Sequence, residues 1–300
     1  MGYFYAVLAM ISIGILGILS KLADRKGGTP LNTTVLLFGG STILMACYVV
    51  FLQKASLKPP TIVFSTALFF GTLAVLAFWL FLYGLQYGKI TSSWIFMNLS
   101  AVVPAGLSTV IYREKLGSAK LLSLGLVVVS IVLLWKDKQQ ESDETTGDVA
   151  SSSKRSNVKV WITAMLGAFA LNGVCPFGLR ILAGKGLAQQ YTPVYLFYWY
   201  LAGLTFGLLW LLFKGSRRVS GAAISIGLVM AVASVGGQFF MGLAMAQGTP
   251  GSVVYMLAMG ASMCVVVFGG ALFFHERVGR YAKVGIVVGL VAALLLGAAG

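Results

Sequence analysis

Long apolar runs dominate this sequence and constrain its fold more than any other feature. A bilayer core needs roughly 20 consecutive apolar residues per helix, and ten runs of about that length recur along the chain. Hydrophobic residues make up 58% of the 300 residues and charged residues only 10%, against about 25% charged in soluble domains. So much apolar surface cannot be buried in one globular core, and the rest must face lipid. The sequence therefore predicts an all-α integral membrane protein with ten transmembrane helices.

Short turn-forming stretches separate these runs. Gly27-Gly28-Thr29-Pro30 follows the first run, and Gly248-Thr249-Pro250 precedes the ninth. Proline is tolerated at a helix start because the first backbone amides have no intrahelical partner. The predicted spans, numbered here as segments 1 to 10, cover residues 3–22, 31–52, 62–87, 91–112, 119–135, 160–182, 193–213, 222–246, 251–274 and 281–299.

One polar stretch, residues 136–159, divides the ten segments into two sets of five. It is rich in Ser, Asp, Glu and Lys and lacks aromatic residues, a composition typical of flexible linkers. We therefore predict a first five-helix repeat at residues 1–135, a flexible polar linker at 136–159, and a second five-helix repeat at 160–300.

The two halves end in similar sequences. Residues 111–135 read IYREKLGSAKLLSLGLVVVSIVLLW, and residues 273–296 read FFHERVGRYAKVGIVVGLVAALLL. In both, a glutamate, a base and a glycine precede a final apolar segment. Because each half has an odd number of segments, the second half enters the membrane in the opposite orientation. Such inverted repeats are typical of secondary transporters, whose substrate site lies between the repeats near the bilayer midplane.

On these patterns the chain resembles the drug/metabolite transporter superfamily, in particular EamA-type proteins with two five-helix EamA domains. The resemblance implies that the chain exports or imports a small polar metabolite across the cell (cytoplasmic or inner) membrane by alternating access. It implies no particular substrate, because relatives carry amino acids, sugars and phosphorylated metabolites. The alternative is a non-transporting membrane scaffold or lipid-handling subunit, which would need no central hydrophilic cavity.

Polar and aromatic residues inside the segments supply the candidate substrate site. An unpartnered amide in hydrocarbon costs several kcal/mol, so these amides are expected to face the bundle interior. Segments 3, 4, 8 and 9 are the third and fourth members of each half, and we expect them to line a cavity. For any one aromatic side chain, plain packing is the alternative. The candidates, some paired by four-residue spacing, are Trp79 with Tyr83, Trp94 with Asn98, Gln238, Tyr255 and Asn172.

Two bases, Lys21 and Arg180, complete the candidate site. Each lies near the end of the first segment of its half. Two roles are open for them: attraction of an anionic or zwitterionic solute, or extension toward the lipid headgroups. The eight acidic residues fall in the linker or at segment ends. A membrane-embedded acid for exchanging protons with a cationic drug is therefore not expected.

The net charge of +14 does not indicate nucleic-acid binding, because the bases lie in short loops between apolar segments. That distribution is typical of topogenic charge and of contact with anionic lipid. The three cysteines are scattered singly and no catalytic motif is evident, so we predict no enzyme, no cofactor and no metal site. The expected partners are a small-molecule substrate and membrane lipid, with the chain a monomer or homodimer.

Overall fold

The structure is a computed structural model, and it describes residues 1–54, 57–111, 118–144, 151–214, 221–275 and 279–298. The described residues fold as helices joined by short turns and contain no strand. Among them, seven helices are long and apolar enough to cross a membrane, and they correspond to predicted segments 1, 2, 3, 6, 7, 8 and 9. The chain is therefore an all-α, multi-pass membrane protein.

Thirteen α-helices are present in this described part. The first half contains α1 (Gly2–Arg25), α2 (Pro30–Cys47), α3 (Thr61–Leu85), α4 (Ile90–Asn98), α5 (Val102–Ile111) and α6 (Ser118–Glu144). The second half contains α7 (Ser151–Val174), α8 (Phe177–Gly184), α9 (Ala188–Lys214), α10 (Gly221–Ala246), α11 (Gly251–Tyr255), α12 (Ser262–Phe274) and α13 (Arg280–Ala298). Short stretches of π-helix at Tyr48–Leu52 and Met256–Gly260 and of 3₁₀-helix at Leu99–Ala101 complete the list.

All ten predicted segments coincide with helical residues. Segment 4 consists of α4, the 3₁₀ turn and α5, whereas segment 6 consists of α7 and α8. Segment 9 consists of α11, a π turn and α12. The start of α2 follows its sequence signal, because the Thr29 hydroxyl accepts a 3.3 Å hydrogen bond from the Asn32 amide and Pro30 is the first helical residue.

The helices of the two halves pack in matching pairs. Segment 1 packs on segments 8 and 9, and segment 6 packs on segments 3 and 4. Segment 2 likewise packs on segment 8, as segment 7 does on segment 3. Segments 2 and 7 contact each other, as do segments 5 and 10. All of these contacts cross between halves, so the two halves share one interior.

The stretch predicted as a flexible linker, residues 136–159, differs from the prediction. Helix α6 continues through it to Glu144, and α7 begins at Ser151. Lys, Gln and Glu have high helix propensity, which favours continuation of the helix beyond the apolar segment. The intervening residues 145–150 lie outside the described range.

Asp137, inside that stretch, caps the last helix. Its carboxylate is buried and accepts a 3.0 Å hydrogen bond from the backbone amide of Ala282, in the first turn of α13. An acid there satisfies a free amide and interacts favourably with the helix dipole. A Cβ at Gly279 would overlap this carboxylate, which explains the glycine that precedes segment 10. The charged residues 112–117 and 276–278 lie outside the described range.

Candidate functional site

A cavity lies where the two halves meet. Its volume is about 70 Å³, room for roughly six water-sized groups at about 10–15 Å³ each. Segments 1 to 4 and segments 6 to 9 all contribute to its wall. The lining residues are Ile13, Leu16, Leu37, Phe38, Ala74, Phe78, Trp94, Met97, Asn98, Asn172, Cys175, Pro176, Trp199, Ser234, Gln238, Met241 and Met259.

The wall is mostly apolar, with a few polar groups unequally divided between corresponding segments. Segments 4, 6 and 8 supply three carboxamides and a serine hydroxyl. Their counterparts, segments 9, 1 and 3, supply only aliphatic, aromatic or thioether side chains. No charged side chain occurs among these lining residues. The two halves therefore contribute different chemistry to one cavity.

Asn98 ends α4 at the point where segment 4 tightens into a 3₁₀ turn. Its Nδ2 atom donates a 2.9 Å hydrogen bond to the carbonyl of Trp94, one turn earlier. Only the nitrogen of a carboxamide can donate to a carbonyl, so this bond fixes the orientation of the group. Its Oδ1 atom accepts no hydrogen bond from the described residues. Asn98 thus offers the cavity a hydrogen-bond acceptor.

Asn172 connects segment 6 to the same turn of segment 4. Its Nδ2 atom donates to the Ser100 hydroxyl at 2.9 Å and to the Met97 carbonyl at 3.4 Å. Both amide hydrogens are used in this way, and Oδ1 accepts no hydrogen bond from the described part of the chain. Asn172 therefore presents a second acceptor oxygen.

Ser234 and Gln238 lie one turn apart on α10 and share a face of that helix. The Ser234 hydroxyl is 2.9 Å from the hydroxyl of Tyr200. The Gln238 carboxamide, by contrast, makes no hydrogen bond to another described residue. It can serve a solute as donor, as acceptor or as both.

Trp94 forms an aromatic wall whose polar atom is already used inside the protein. Its Nε1 atom donates to the Ser262 hydroxyl at 3.4 Å, and that hydroxyl donates to the Met259 carbonyl at 2.6 Å. The ring of Phe81 packs edge-on against the indole at 5.4 Å. The indole therefore presents an apolar surface to the cavity and links segments 4 and 9.

The backbone of three segments is interrupted beside the cavity. The 3₁₀ turn of segment 4 follows Asn98, and the π turn of segment 9 contains Met259. In segment 6, Pro176 has no amide hydrogen and follows the end of α7 at Val174. Interrupted helices of this kind frequently mark functional sites, and in transporters they surround the substrate.

Four of the nine candidate site residues line this cavity, namely Trp94, Asn98, Asn172 and Gln238. Tyr255 lies beside it, where its hydroxyl donates a 2.9 Å hydrogen bond to the carbonyl of Pro176. Tyr255 is fully buried and supports the wall instead of forming it.

Trp79 and Tyr83 lie on α3 but not on the cavity side. Their rings stack on each other at 5.5 Å, and Trp79 contacts Trp210 at 4.4 Å. Phe78 lines the cavity instead. Neighbouring residues of a helix are rotated by about 100°, so Trp79 lies on a different face of α3 from Phe78.

The two candidate bases lie outside the cavity lining. The Lys21 ammonium forms an ion pair with the Asp24 carboxylate at 3.3 Å, one turn along α1. Arg180 is on α8, beyond the break at Pro176, and is not among the lining residues. The structure therefore brings neither base to the amides.

Sequence reasoning missed several lining residues, including Phe38, Trp199, Ser234, Met241 and Met259. Ser234 carried a usable signal, because it lies four residues before Gln238. The aromatic and methionine side chains carried none, since in an apolar run they are indistinguishable from packing residues.

Comparison with known proteins identifies the family of the first half. Residues 1–136 match the EamA-like transporter family. A solved crystal structure is similar over 97% of this chain and 98% of its own, with a TM-score of 0.63 and 17% sequence identity. At that identity the similarity shows the fold alone. A search of curated proteins found no match.

Proposed function

We propose that this chain, an EamA-type protein of the drug/metabolite transporter superfamily by the match of its residues 1–136 to the EamA-like transporter family, is a secondary transporter of a small polar metabolite. The proposal rests above all on the cavity, which combines side chains from both halves and contains carboxamides with unused hydrogen-bonding capacity. We place the chain in the cell (cytoplasmic or inner) membrane.

The proposed architecture is ten spans arranged as two inverted five-helix repeats, residues 1–135 and 160–300. Three observations support it. All ten predicted segments are mainly helical where described, and corresponding segments make corresponding contacts. In addition, the fourth segment of each half is interrupted beside the cavity. An odd number of spans per repeat makes the repeats inverted, the arrangement used for alternating access.

In the proposed mechanism, the two halves move relative to each other around a solute held in the cavity. The aromatic rings of Phe78, Trp94 and Trp199 enclose its apolar part. Asn98 and Gln238 orient its polar groups. The interruptions in segments 4, 6 and 9 supply places where the backbone can bend without breaking a continuous helix.

The alternative function, a non-transporting scaffold or lipid-handling subunit, explains the cavity less well. A scaffold gains most from an interior filled with interdigitating apolar side chains. Gln238 instead presents to the cavity a half-buried carboxamide without a hydrogen-bond partner among the described residues, which costs free energy unless a solute or water binds it. This arrangement is therefore better explained by a protein that binds a solute than by a scaffold.

A transport assay with the purified protein tests the proposal. Liposomes containing the protein are preloaded with amino acids, sugars or organic anions, and exchange with the labelled external solute is followed. We expect one solute class to exchange faster than in protein-free liposomes and Gln238→Leu to slow it. Gln247→Leu, at an exposed amide just after α10, is the matched control. Exchange no faster than in protein-free liposomes for every solute would contradict the proposal.

A further inference from the structure

We infer that the transported solute carries no net charge, has an apolar body and donates hydrogen bonds, and that Asn98 and Asn172 accept those bonds. The inference rests on the proposed transport function, since it assigns the substrate class of the same cavity.

The charge of the solute follows from the composition of the wall. Every described residue that lines the cavity is uncharged. Lys21, the candidate base on segment 1, is paired with Asp24 outside the cavity. Moving an uncompensated ion from water into such surroundings costs several kcal/mol. A solute without ionic groups avoids that cost, whereas an organic anion or cation does not.

The need for donor groups follows from the orientation of two carboxamides. Asn98 and Asn172 each direct Nδ2 at a backbone carbonyl, those of Trp94 and Met97. Each therefore keeps Oδ1 for the solute, and a carbonyl oxygen only accepts hydrogen bonds. A solute without a hydroxyl, amide or ammonium hydrogen would leave both oxygens unsatisfied in a mostly apolar cavity.

The apolar body follows from the remaining lining. Trp94 and Phe78 supply aromatic faces, and Met97, Met241 and Met259 supply flexible thioethers. Methionine side chains adapt to irregular shapes and make favourable contacts with aromatic rings. The cavity of about 70 Å³ suits a compact group of this kind and is far too small for a lipid or a peptide.

Binding calorimetry on the purified protein in detergent tests this assignment with simple probes, so the natural substrate need not be identified first. Four probes of about five or six non-hydrogen atoms, small enough for the cavity of about 70 Å³, separate charge from donor capacity: propionamide, N,N-dimethylacetamide, propionate and propionamidinium. We expect propionamide to bind about tenfold or more tightly than each of the other three, because they lack donors or carry net charge. Asn98→Leu and Asn172→Leu should each weaken propionamide binding by a similar factor. Gln247→Leu should leave it unchanged and also controls for partitioning into micelles.

The outcomes separate this inference from the transport proposal. Propionate or propionamidinium binding as tightly as propionamide would overturn the inference, as would failure of propionamide to bind the unaltered protein. Equal binding of propionamide and N,N-dimethylacetamide would show that the two asparagines do not accept hydrogen bonds from the solute. Exchange of only a charged solute by liposomes would overturn the inference but leave the transport proposal intact. Selective propionamide binding with no exchange of any solute would support the binding inference and contradict the transport proposal.

Discussion

The hydroxyl of Ser100 accepts a 2.9 Å hydrogen bond from Nδ2 of Asn172. Ser100 lies in the 3₁₀ turn of segment 4, and Asn172 lies in segment 6, so the bond joins the two halves beside the cavity. The Ser100 side chain is fully buried, where losing a partner costs more than a surface hydrogen bond contributes. Relative movement of the halves at this point must either carry the pair along or break the bond.

Removing this bond should destabilise the protein. We expect Asn172→Ala to lower the free energy of unfolding by about 1–3 kcal/mol, because the fully buried Ser100 hydroxyl loses Asn172 as a partner. Ser100→Ala should cost about 1 kcal/mol, because Nδ2 of the half-buried Asn172 keeps its bond to the Met97 carbonyl. The double variant should lose less than the two single losses together. Unfolding in detergent measures all three, with Ser65→Ala on the exposed face of α3 as the control. Strictly additive losses would show that the two groups are not coupled.

The access of water to introduced cysteines should show which faces of α3 and α10 line the cavity, which the sequence did not predict. In a variant with Cys47, Cys175 and Cys264 replaced, Gln238→Cys should react with a membrane-impermeant thiol reagent, because alternating access opens the cavity to water. Trp79→Cys should not react, because Trp79 packs against Trp210 away from the cavity. Mass spectrometry of intact protein measures both. If Trp79→Cys were labelled and Gln238→Cys were not, the assignment of the cavity-facing residues would be wrong.

Gly71 should be intolerant of even a methyl group. A Cβ there would overlap the backbone carbonyl of Trp199 on α9, and backbone atoms cannot move aside as a flexible side chain can. We expect Gly71→Ala to cost about 1–3 kcal/mol through overpacking and to displace Trp199 from the cavity wall. Gly39→Ala is the control, because its Cβ would meet only a Leu204 methyl group at 3.5 Å. Thermal unfolding compares them, and equal melting temperatures would refute this account.

The contribution of the Asp137 cap on α13 to stability should be measurable by thermal unfolding. We expect Asp137→Ala to lower stability by about 1 kcal/mol, because Ala282 loses its acceptor and the helix dipole loses a favourable charge. Asp137→Asn should lose less, because its amide oxygen still accepts the hydrogen bond. Thermal unfolding of the two variants separates capping from charge. An alanine variant as stable as the original protein would contradict the cap.

Lys21 should prove dispensable for solute recognition. Its ammonium pairs with Asp24 outside the cavity, and a partly exposed ion pair contributes at most about 1 kcal/mol to stability. We therefore expect Lys21→Met to retain solute exchange in liposomes, with Asp24→Asn as the matched removal of its partner. Loss of exchange in a correctly folded Lys21→Met variant would show that Lys21 takes part in solute binding.

Length, hydrophobicity and turn residues were enough to locate the helices from the sequence. Pro30 begins α2, one residue before the predicted start of segment 2, and the Thr29 hydroxyl caps that helix. These features depend on local chemistry: the missing amide hydrogen of proline, a capping hydroxyl, and the length of apolar chain that spans a bilayer. Asn98, Asn172 and Gln238 were also recognisable as interior groups, since lipid cannot satisfy a carboxamide.

Tertiary structure alone decided which helix faces meet, because in a uniformly apolar segment hydrophobicity marks no inward side. Phe78 and not Trp79 lines the cavity because α3 packs against α9 through Trp79 and Trp210. Asp137 likewise belongs by sequence to a polar linker, yet folding brings it to a helix start 145 residues away. Such contacts depend on long-range packing and not on local chemistry, and for that reason a single sequence read along the chain does not contain them.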